Sequence, residues 1–242
     1  MADAPKAAVL VIGDEILSGR TKDKNIGFLA DTLADIGIDL MEVRIVGDTE
    51  AAIVDAIRAL SKRYDFVLTS GGIGPTHDDI TADSVAEAFG VPIGVDPRAA
   101  EILLAFWQKR GVEPNESRMR MARIPAGASL IPNTVSAAPG FRIGNVFVMA
   151  GVPAILQAMM DEVVKMLPAS RPVLSETIEA HRPEGEVAVP ARDVQAAHPL
   201  VRIGSYPYHD GARFVTRLVL RSRDADALAA AVAAMNAALK EV

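Results

Sequence analysis

The sequence predicts an α/β fold in which a mostly parallel sheet carries helices on both faces, followed by a small α+β domain. Apolar segments typical of buried strands, such as 7–12 and 66–68, alternate with segments whose apolar residues recur every three or four positions. This alternation is typical of βαβ units with right-handed crossovers. Glycine-rich loops follow the apolar segments, at the position where α/β sheets bind their ligands.

The first 168 residues are predicted to form the larger domain. The segment 7–12 is apolar throughout, as expected of a central strand covered on both faces. In the helix that follows, Asp23 is placed to cap the first turn and Gly37 to end the helix. No strand or helix is predicted in the segment 124–144, which is rich in proline, glycine and alanine. Predicted strands cover 7–12, 38–46, 65–69 and 145–149, and predicted helices cover 26–36, 53–60, 81–89, 97–110, 116–123 and 152–167.

Residues 168–172 have the composition of a linker, so residues 172–242 are predicted to form a second, small domain. Its βαββα order predicts helices packed on one face of a small sheet. The expected elements are a strand at 173–180, a helix at 184–198 that Pro190 interrupts, strands at 201–206 and 213–221, and a helix capped by Asp224.

Composition excludes several classes of protein. Half of the 242 residues are hydrophobic, so a full core is available. The net charge of -6 argues against a nucleic-acid partner held by a basic surface. Cysteine is absent, which excludes disulfides, thiolate metal sites and a cysteine nucleophile. Because no apolar stretch can span a bilayer and the N-terminus lacks the pattern of a signal peptide, we expect a cytoplasmic protein without a membrane partner.

The loop 70–79 reads Ser-Gly-Gly-Ile-Gly-Pro-Thr-His-Asp-Asp and joins a predicted strand to a predicted helix. Gly71, Gly72 and Gly74 tolerate positive φ and let a ligand approach the backbone closely. Exposed amides in such a loop, next to a helix N-terminus, favour phosphate or carboxylate. The loop is neither a dinucleotide fingerprint nor a Walker loop, because the required final glycine and the Lys-Ser/Thr pair are missing.

Asp78 and Asp79 stand at the end of this anion-binding loop. Two unit charges about 4 Å apart interact by about 4 kcal/mol at an effective dielectric constant of about 20, so carboxylates facing a phosphate need a cation between them. The loop therefore predicts a phosphate together with a hard divalent metal ion such as Mg2+. Two other interpretations remain open: a tight turn without a ligand, or Asp79 or Thr81 as a helix cap. His77 is the histidine to test, although a solvent-exposed loop residue is the commoner case.

Acidic residues also follow two other predicted strands. Asp14 and Glu15 come after the first strand and Asp48 after the second. Because the carboxyl ends of parallel strands share one edge of a sheet, these carboxylates can converge with those of the glycine loop on one metal ion. Each residue alone is more typical of a turn. Neighbours such as Asp78 and Asp79 point in different directions, so one is expected to face the metal and the other to support the loop.

Polar residues further along the chain are weaker candidates. Asn133 and Ser136, in the segment 124–144, are candidate ligand contacts. The predicted helix 116–123 carries three arginines, which on a short helix usually belong to the solvated surface: Arg118, Arg120 and Arg123.

The order of these motifs resembles a known family. Segments 13–19 and 70–81 resemble its first and its most specific signature, and 121–128, Asn133, 138–141 and 151–153 follow in the family's order. The sequence is thereby identified as a member of the molybdopterin-binding (MoaB/Mog-like) domain family, in the version at the N-terminus of competence/damage-inducible protein A (CinA). Segment 203–207 resembles a signature of the small domain that follows in CinA-type proteins and in FAD synthases.

The resemblance implies several activities. Adenylylating relatives carry out a magnesium-dependent nucleotidyl transfer to molybdopterin, CinA-type relatives are similar to metal-dependent pyrophosphatases acting on ADP-ribose, and FAD-synthase relatives are linked to FAD hydrolysis. The His77-Asp78 version of the loop matches the CinA type, which favours hydrolysis. The expected function is a nucleotide pyrophosphatase of the ADP-ribose or FAD class that depends on Mg2+, Mn2+ or Co2+. The alternatives are molybdopterin binding or adenylylation in molybdenum cofactor biosynthesis, and a non-catalytic nucleotide-binding module.

The residues and the resemblance together suggest a set of site residues. The expected catalytic residues are Asp48, Asp78 and Asp79. The expected metal ligands are Asp14, Glu15, Asp48 and Asp79. The expected contacts with the nucleotide or pterin are Gly71, Gly72, Gly74, Pro75, Thr76, Asn133, Ser136, Gly140, Gly151 and Pro153.

The resemblance also bears on partners. Relatives of this domain form dimers or trimers, so a homo-oligomer is expected, with the Phe106-Trp107 face as a candidate interface; Trp107 is otherwise expected in the core. The ligand would be a small nucleotide or pterin. The chain stops before the deamidase domain of full-length CinA, so deamidation of nicotinamide nucleotides is not expected.

Overall fold

The computed structural model describes residues 4–240, and this part of the chain forms two compact units. The first unit ends at Ser170 and the second begins at Arg171. Between residues 4 and 240, no helix has the length and apolar character needed to cross a membrane.

The first unit combines short strands with helices of one to four turns. Its described strands are β1 (Lys6–Ile12), β2 (Asp39–Val46), β3 (Phe66–Ser70), β4 (Ile93–Val95), β5 (Arg123–Pro125), β6 (Ser129–Ile131), β7 (Gly140–Ile143) and β8 (Val146–Met149). Its described α-helices are α1 (Asp14–Leu17), α2 (Asn25–Asp35), α3 (Glu50–Arg63), α4 (Thr81–Phe89), α5 (Pro97–Gln108), α6 (Glu116–Met119) and α7 (Pro153–Met166). A 3-10 turn, Arg120–Ala122, connects α6 to β5.

Six of these strands form one sheet in the order β2-β1-β3-β8-β7-β6. β1 pairs in parallel with β2 and β3, and β3 pairs in parallel with β8. β7 is antiparallel to both β8 and β6. The predicted α/β class with a mostly parallel sheet is confirmed.

The side chains of β1 show why helices cover both faces of this sheet. Successive residues of a strand point to opposite faces. Leu10 joins a core that contains Ile57 of α3, whereas Val9 joins a second core that contains Leu29 of α2 and Leu156 of α7. From Ala7 to Ile12 the strand has no polar residue on either face and must be buried on both, so the layered arrangement follows from the sequence of β1.

The segment 124–144 departs from the prediction, because it contains most of β5 and all of β6 and β7. These strands are three or four residues long, so no period of two is long enough to be recognised. The helix predicted over 116–123 is also wrong in its second half. α6 ends at Met119, and Arg123 already pairs with Val95 of β4. Tertiary pairing with β4 overrides the local helical pattern.

Trp107 lies in the core of the first unit, with 6% of its surface exposed. Phe106 beside it is half-buried, and the guanidinium carbon of Arg110 lies 3.7 Å from its ring centroid. This pair of aromatic residues therefore offers no open apolar face to a second chain. The homo-oligomer itself stays a prediction.

The second unit contains β9 (Leu174–Glu179), α8 (Glu184–Ala197), β10 (Arg202–His209), β11 (Phe214–Ser222) and α9 (Ala225–Ala238), in the predicted βαββα order. The strands form an antiparallel sheet in the order β10-β11-β9, and its apolar residues pack with those of both helices. Asp224 caps α9 as predicted, because its carboxylate accepts a hydrogen bond from the amide of Ala227 at 2.9 Å. The predicted interruption at Pro190 is wrong: α8 continues through this residue, whose ring is buried.

The stability of the first unit should depend strongly on Phe147, which is fully buried and makes an edge-to-face contact with Phe66. Phe147→Ala removes most of a large side chain and leaves a cavity, so we expect a loss of about 3–5 kcal/mol in the free energy of unfolding. Urea denaturation followed by the fluorescence of the single tryptophan, Trp107, measures this. Leu104→Ala, at a position that is 42% exposed, should cost at most about 0.5 kcal/mol. Equal losses for the two variants would contradict the described core.

Candidate functional site

The candidate site lies at the edge of the sheet where β1, β2 and β3 end. β1 runs between β2 and β3 and is parallel to both, so the chain leaves all three strands at the same edge. Asp14 directly follows the turn after β1, Asp48 follows β2, and the loop 70–79 follows β3. The prediction that these acidic strand ends share one edge is confirmed.

Asp14 and Asp48 are held together by reciprocal hydrogen bonds. The amide of Asp14 donates to Oδ2 of Asp48 at 2.9 Å, and the amide of Asp48 donates to Oδ1 of Asp14 at 3.3 Å. Gly47 permits this approach, because a Cβ at that position would overlap Oδ1 of Asp14. The role of Gly47 is not evident from the sequence, since it depends on a residue 33 positions earlier.

The surroundings of Asp48 destabilise the charged form of its carboxylate. Burial raises the pKa of Asp48, hydrogen bonding to the Asp14 amide partly offsets this, and the charges of Asp14, Glu15 and Asp78 raise it further. Glu15 contributes because its carboxylate folds back over Gly13. Four carboxylates thus act on one region of the sheet edge, which is a field that a cation would relieve.

The glycine loop is packed tightly against the end of β1. A Cβ at Gly71, which has φ of 112°, would overlap the carbonyl oxygen of Ile12. A Cβ at Gly72, with φ of 70°, would overlap the hydroxyl of Thr81. Thr81 locks the loop in return, since its amide donates to the carbonyl of Gly72 and its hydroxyl to that of Gly71, both at 3.0 Å. Thr81 therefore stabilises the loop. Its side chain does not cap α4, which was one of the alternative interpretations.

Three consecutive amides of this loop have no acceptor within residues 4–240: those of Gly72, Ile73 and Gly74. The amide of Gly71, by contrast, donates to the carbonyl of Met149 at 3.1 Å. The amide of Gly71, which was expected to contact the ligand, is thus already paired, and the open amides begin at Gly72. Unpaired amides in a glycine loop that precedes a helix are suited to an anion.

Asp79 and Asp78, one of which was expected to face a metal ion and the other to support the loop, make different contacts. The carboxylate of Asp79 accepts hydrogen bonds from the amide of Thr76 at 2.8 Å and from its hydroxyl at 2.5 Å, and it also lies against Gly74. Asp79 is therefore the residue that supports the loop. Asp78 is exposed and contributes to the field at Asp48. The pKa of Asp78 is lowered by the nearby Thr76 side chain and by the Asp78 amide, although the single hydroxyl proton of Thr76 is donated to Asp79, and Asp78 stays ionised.

Arg120, which the sequence analysis assigned to the solvated surface, lies against the glycine loop. It is half-buried, and one of its terminal nitrogens donates to the carbonyl of Asp79 at 3.2 Å. Its Nε is buried and has no hydrogen-bond partner among residues 4–240. Arg123 is also half-buried and forms an ion pair with Asp83 in the first turn of α4. The expectation of solvated arginines is wrong for these residues because the turn after α6 folds back onto the glycine loop.

Arg120 separates two spaces beside the loop. A cavity of about 10 Å³, which is room for about one water molecule, lies between Arg120, Ile73, Gly74 and Asp79. On the other side is an open cleft of about 520 Å³. Its lining residues are Pro75, Thr76, His77, Asn115, Ser117, Arg118 and Arg120. His77 is fully exposed there, with Nδ1 4.0 Å from the carboxylate of Asp78.

Asn133, Ser136 and Gly140 have structural roles. The amide group of Asn133 donates to the hydroxyl of Ser136 at 2.7 Å and to the carbonyl of Ala138 at 2.8 Å, while its oxygen accepts from the amides of Val135 and Ser136. The side chain of Asn133 thus makes all of these hydrogen bonds within its own turn. Gly140 is buried, and a Cβ there would overlap the carbonyl of Val148. These contacts give the three residues a part in packing and turn formation, and their expected role as ligand contacts stays a prediction.

Asn25 is a further residue that the sequence did not indicate. It is 5% exposed at the start of α2, and its amide donates to the hydroxyl of Ser70 at 2.9 Å and to the carbonyl of Gly151 at 2.7 Å. Gly151 in turn lies against Gly71, so Asn25 connects the start of α2 to the ends of β3 and β8.

Pro153 stands at the first position of α7, as predicted. Asp23 accepts from two amides of the first turn of α2, which confirms the predicted cap.

The donor set at this edge fits a hard divalent cation. Across the described chain, no group of three or more histidine, cysteine, aspartate or glutamate side chains is arranged to hold a metal ion by itself. Mg2+ rarely needs such a cage, because it is typically bound through one or two carboxylates, waters and the phosphates of a substrate. The adjacent carboxylates of Asp14 and Asp48 match this pattern.

Comparison with known proteins places the chain in a family. Residues 8–174 match the family described as a probable molybdopterin binding domain, which covers more than half of the chain. The chain belongs to this molybdopterin-binding domain family. Residues 172–242 match the middle domain of FAD synthase.

Relatives of this molybdopterin-binding domain protein indicate its subtype. CinA-like proteins of Myxococcus xanthus and Anaeromyxobacter sp. are 32% and 36% identical, over 82% and 85% of this chain. The chain spans half the length of each of these relatives. A protein of Pyrobaculum calidifontis is 34% identical over 84% of this chain and 81% of its own.

A solved structure supports the same assignment. The crystal structure of the protein CinA of unknown function from Thermoplasma acidophilum superposes with a TM-score of 0.62 and 32% identity, covering 68% of this chain and 99% of that one. The predicted CinA N-terminal type of the molybdopterin-binding domain family is confirmed.

Replacing Gly71 should damage the glycine-rich loop. Gly71→Ala meets both a positive φ and the carbonyl of Ile12, so we expect a loss of at least about 1–3 kcal/mol in the free energy of unfolding, measured by urea denaturation. Gly94→Ala is the matched control, because a Cβ there meets no atom within 4 Å. The described loop would be contradicted if Gly71→Ala were as stable as Gly94→Ala.

Proposed function

We propose that this protein is a divalent-metal-dependent nucleotide pyrophosphatase. The observation that carries the proposal is one juxtaposition: the adjacent carboxylates of Asp14 and Asp48 share a sheet edge with the unpaired amides 72–74. Carboxylates bind a divalent cation and loop amides bind a phosphate, so together they suit a phosphate that carries its own metal ion.

The residues divide the work of phosphoanhydride hydrolysis between them. The metal ion, held by Asp14 and Asp48, would supply neutralisation of the phosphate charge. The amides of Gly72 to Gly74 donate to oxygens of one phosphate, where they stabilise charge that builds up as the bond to the leaving phosphate breaks. Asp78, ionised and exposed, accepts a hydrogen bond from the attacking water and so orients it. Asp79 holds the loop in place through Thr76.

Arg120 and Arg118 extend the site towards the second phosphate. The buried, unpaired Nε of Arg120 lies next to the small cavity beside Gly74, and Arg118 lines the open cleft beyond it. Guanidinium groups form bidentate hydrogen bonds with phosphate oxygens. A ligand with two linked phosphates would therefore run from the loop amides into the cleft, which is large enough for a nucleoside.

The comparisons support a nucleotide with a diphosphate as the substrate class. The second unit matches the middle domain of FAD synthase, a protein whose name denotes a flavin dinucleotide. ADP-ribose and FAD each contain the phosphoanhydride that the site would hydrolyse.

A second candidate function is molybdopterin binding or adenylylation, and the match of residues 8–174 to the molybdopterin-binding domain family favours it. In that case the loop would hold the phosphate of the pterin.

Hydrolysis of ADP-ribose, FAD and NAD by the purified chain, with Mg2+, Mn2+ or Co2+, tests the proposal. We expect turnover that a chelator abolishes, because the carboxylates alone cannot neutralise the phosphates. Asp48→Asn removes one ligand charge and should lower kcat/KM by at least about 100-fold. Asp31→Asn is the matched control, since this exposed aspartate of α2 lies outside the site.

Other results of this assay would contradict the proposal or support a different function. Turnover that survives exhaustive chelation, or that Asp48→Asn leaves intact, would overturn the proposed mechanism. Absence of turnover together with adenylyl transfer from ATP to molybdopterin would establish the second candidate. Nucleotide binding without either reaction would identify a non-catalytic nucleotide-binding module.

Replacing Arg120 should weaken substrate binding in the same assay. Arg120→Met removes charge-assisted hydrogen bonds worth about 1.5–3 kcal/mol, so we expect kcat/KM to fall about 10- to 100-fold, mainly through KM. Arg118→Met should also raise KM, by a smaller factor, because the residue is farther from the loop amides. The control is Arg110→Met, which alters an exposed arginine stacked on Phe106. Unchanged KM in Arg120→Met would exclude this arginine from the site.

A further inference from the structure

The outer edge of β2 is an unpaired strand edge with an apolar surface. β2 is the last strand at its end of the six-stranded sheet, and no other strand among residues 4–240 pairs with its outer side. Three large apolar side chains of this strand are exposed: Met41 by 54%, Val43 by 39% and Ile45 by 37%. Exposed apolar edge strands readily pair with another chain, so natural proteins usually shorten, charge or cover them.

The regular part of this edge begins after Met41. The register between β1 and β2 shifts there, because Ala7 lies opposite Leu40 whereas Ala8 lies opposite Glu42. Met41 is thus the extra residue of a bulge, and bulges increase the local twist. From Glu42 to Val46 the strand is regular and follows β1 residue by residue.

Charges alternate with apolar residues along the regular edge. Glu42 and Arg44 lie on the same face of the strand and form an ion pair at 2.6 Å, and both remain partly exposed. Val43 and Ile45 lie on the opposite face. A strand of this pattern is complementary to itself in the antiparallel direction.

We propose that β2 pairs in an antiparallel manner with β2 of a second copy of this chain, with Val43 on the two-fold axis. In this register each Glu42 lies opposite Arg44 of the other copy, the two Val43 side chains meet, and Met41 lies opposite Ile45. The two sheets then form one continuous sheet of twelve strands, which satisfies the open backbone groups of both edges. Both copies use the same surface, as a two-fold contact requires.

Charge selects this register over its neighbours. A shift that centres the pair on residue 42 places Glu42 against Glu42, and a shift that centres it on residue 44 places Arg44 against Arg44. Opposite charges in directly facing positions stabilise a strand pair by about 0.2–1 kcal/mol each, and like charges destabilise it by a similar amount. With Val43 on the axis, the four charges alternate in sign across the two strands.

The short regular edge makes this a weak dimer. A contact built on one strand is smaller than the interface of a typical stable dimer, so association depends on protein concentration. Sedimentation velocity over a series of concentrations is therefore the right measurement, and we expect the mean mass to rise from the monomer towards the dimer.

Substitutions of Val43 test the two-fold axis itself, because only a residue on the axis meets its own copy. Val43→Glu and Val43→Lys should each remain monomeric at concentrations where the wild type dimerises. Mixed in equal amounts, the two variants should form a heterodimer, since Glu then faces Lys. Ile102→Glu is the matched control: it changes an apolar residue of α5 that is 44% exposed, and it should leave dimerisation unchanged.

Circular dichroism and the fluorescence of Trp107 verify that both Val43 variants are folded. A wild type that stays monomeric at every concentration, or folded Val43→Glu that dimerises like the wild type, would overturn the proposal. So would a mixture of the two variants that remains monomeric. None of these measurements depends on turnover, so the result stands apart from the proposed pyrophosphatase activity.

Discussion

The parallel pairing of β1 with β2 on one side and β3 on the other is the constraint on which the rest of the structure depends. It brings Asp14, Asp48 and the glycine loop to one edge although they lie far apart in the sequence. The helices between these strands cover both faces of the sheet. The same arrangement makes β2 an outer strand with one side unpaired. Site and edge thus follow from one topology.

Electrostatics explains how an anion site and a group of carboxylates coexist at this edge. Burial raises the pKa of Asp48, and the charges of Asp14, Glu15 and Asp78 raise it further, so this side of the loop favours a cation. On the other side, Arg120 and the unpaired loop amides favour an anion. A phosphate with a bound metal ion carries both charges in the required order, which is why we favour a metal–nucleotide complex over either species alone.

The candidate site was predictable where it depends on which strand ends share an edge of the sheet. Asp14, Asp48 and the glycine loop were identified correctly as neighbours, because strand ends in a parallel sheet share an edge. Asn133 completes its own turn, a structural role that the sequence did not predict. Arg120 and Asn25 were missed, since their contacts are made with residues 41 or more positions away. A polar residue on a short helix or at a helix start gives no indication of such partners.

The sequence by itself determined the α/β class, most strand and helix positions, the family and the acidic glycine-rich edge, because these depend on local periodicity and on contiguous motifs. Only the tertiary structure decided which of two adjacent aspartates supports the loop, because this depends on where Thr76 and Gly74 place their atoms. It likewise decided that the segment 124–144 contains strands and that β2 is an edge. Whether a segment forms a strand, and whether that strand lies at an edge, depends on its pairing partners. The residues of a short strand do not identify its partner.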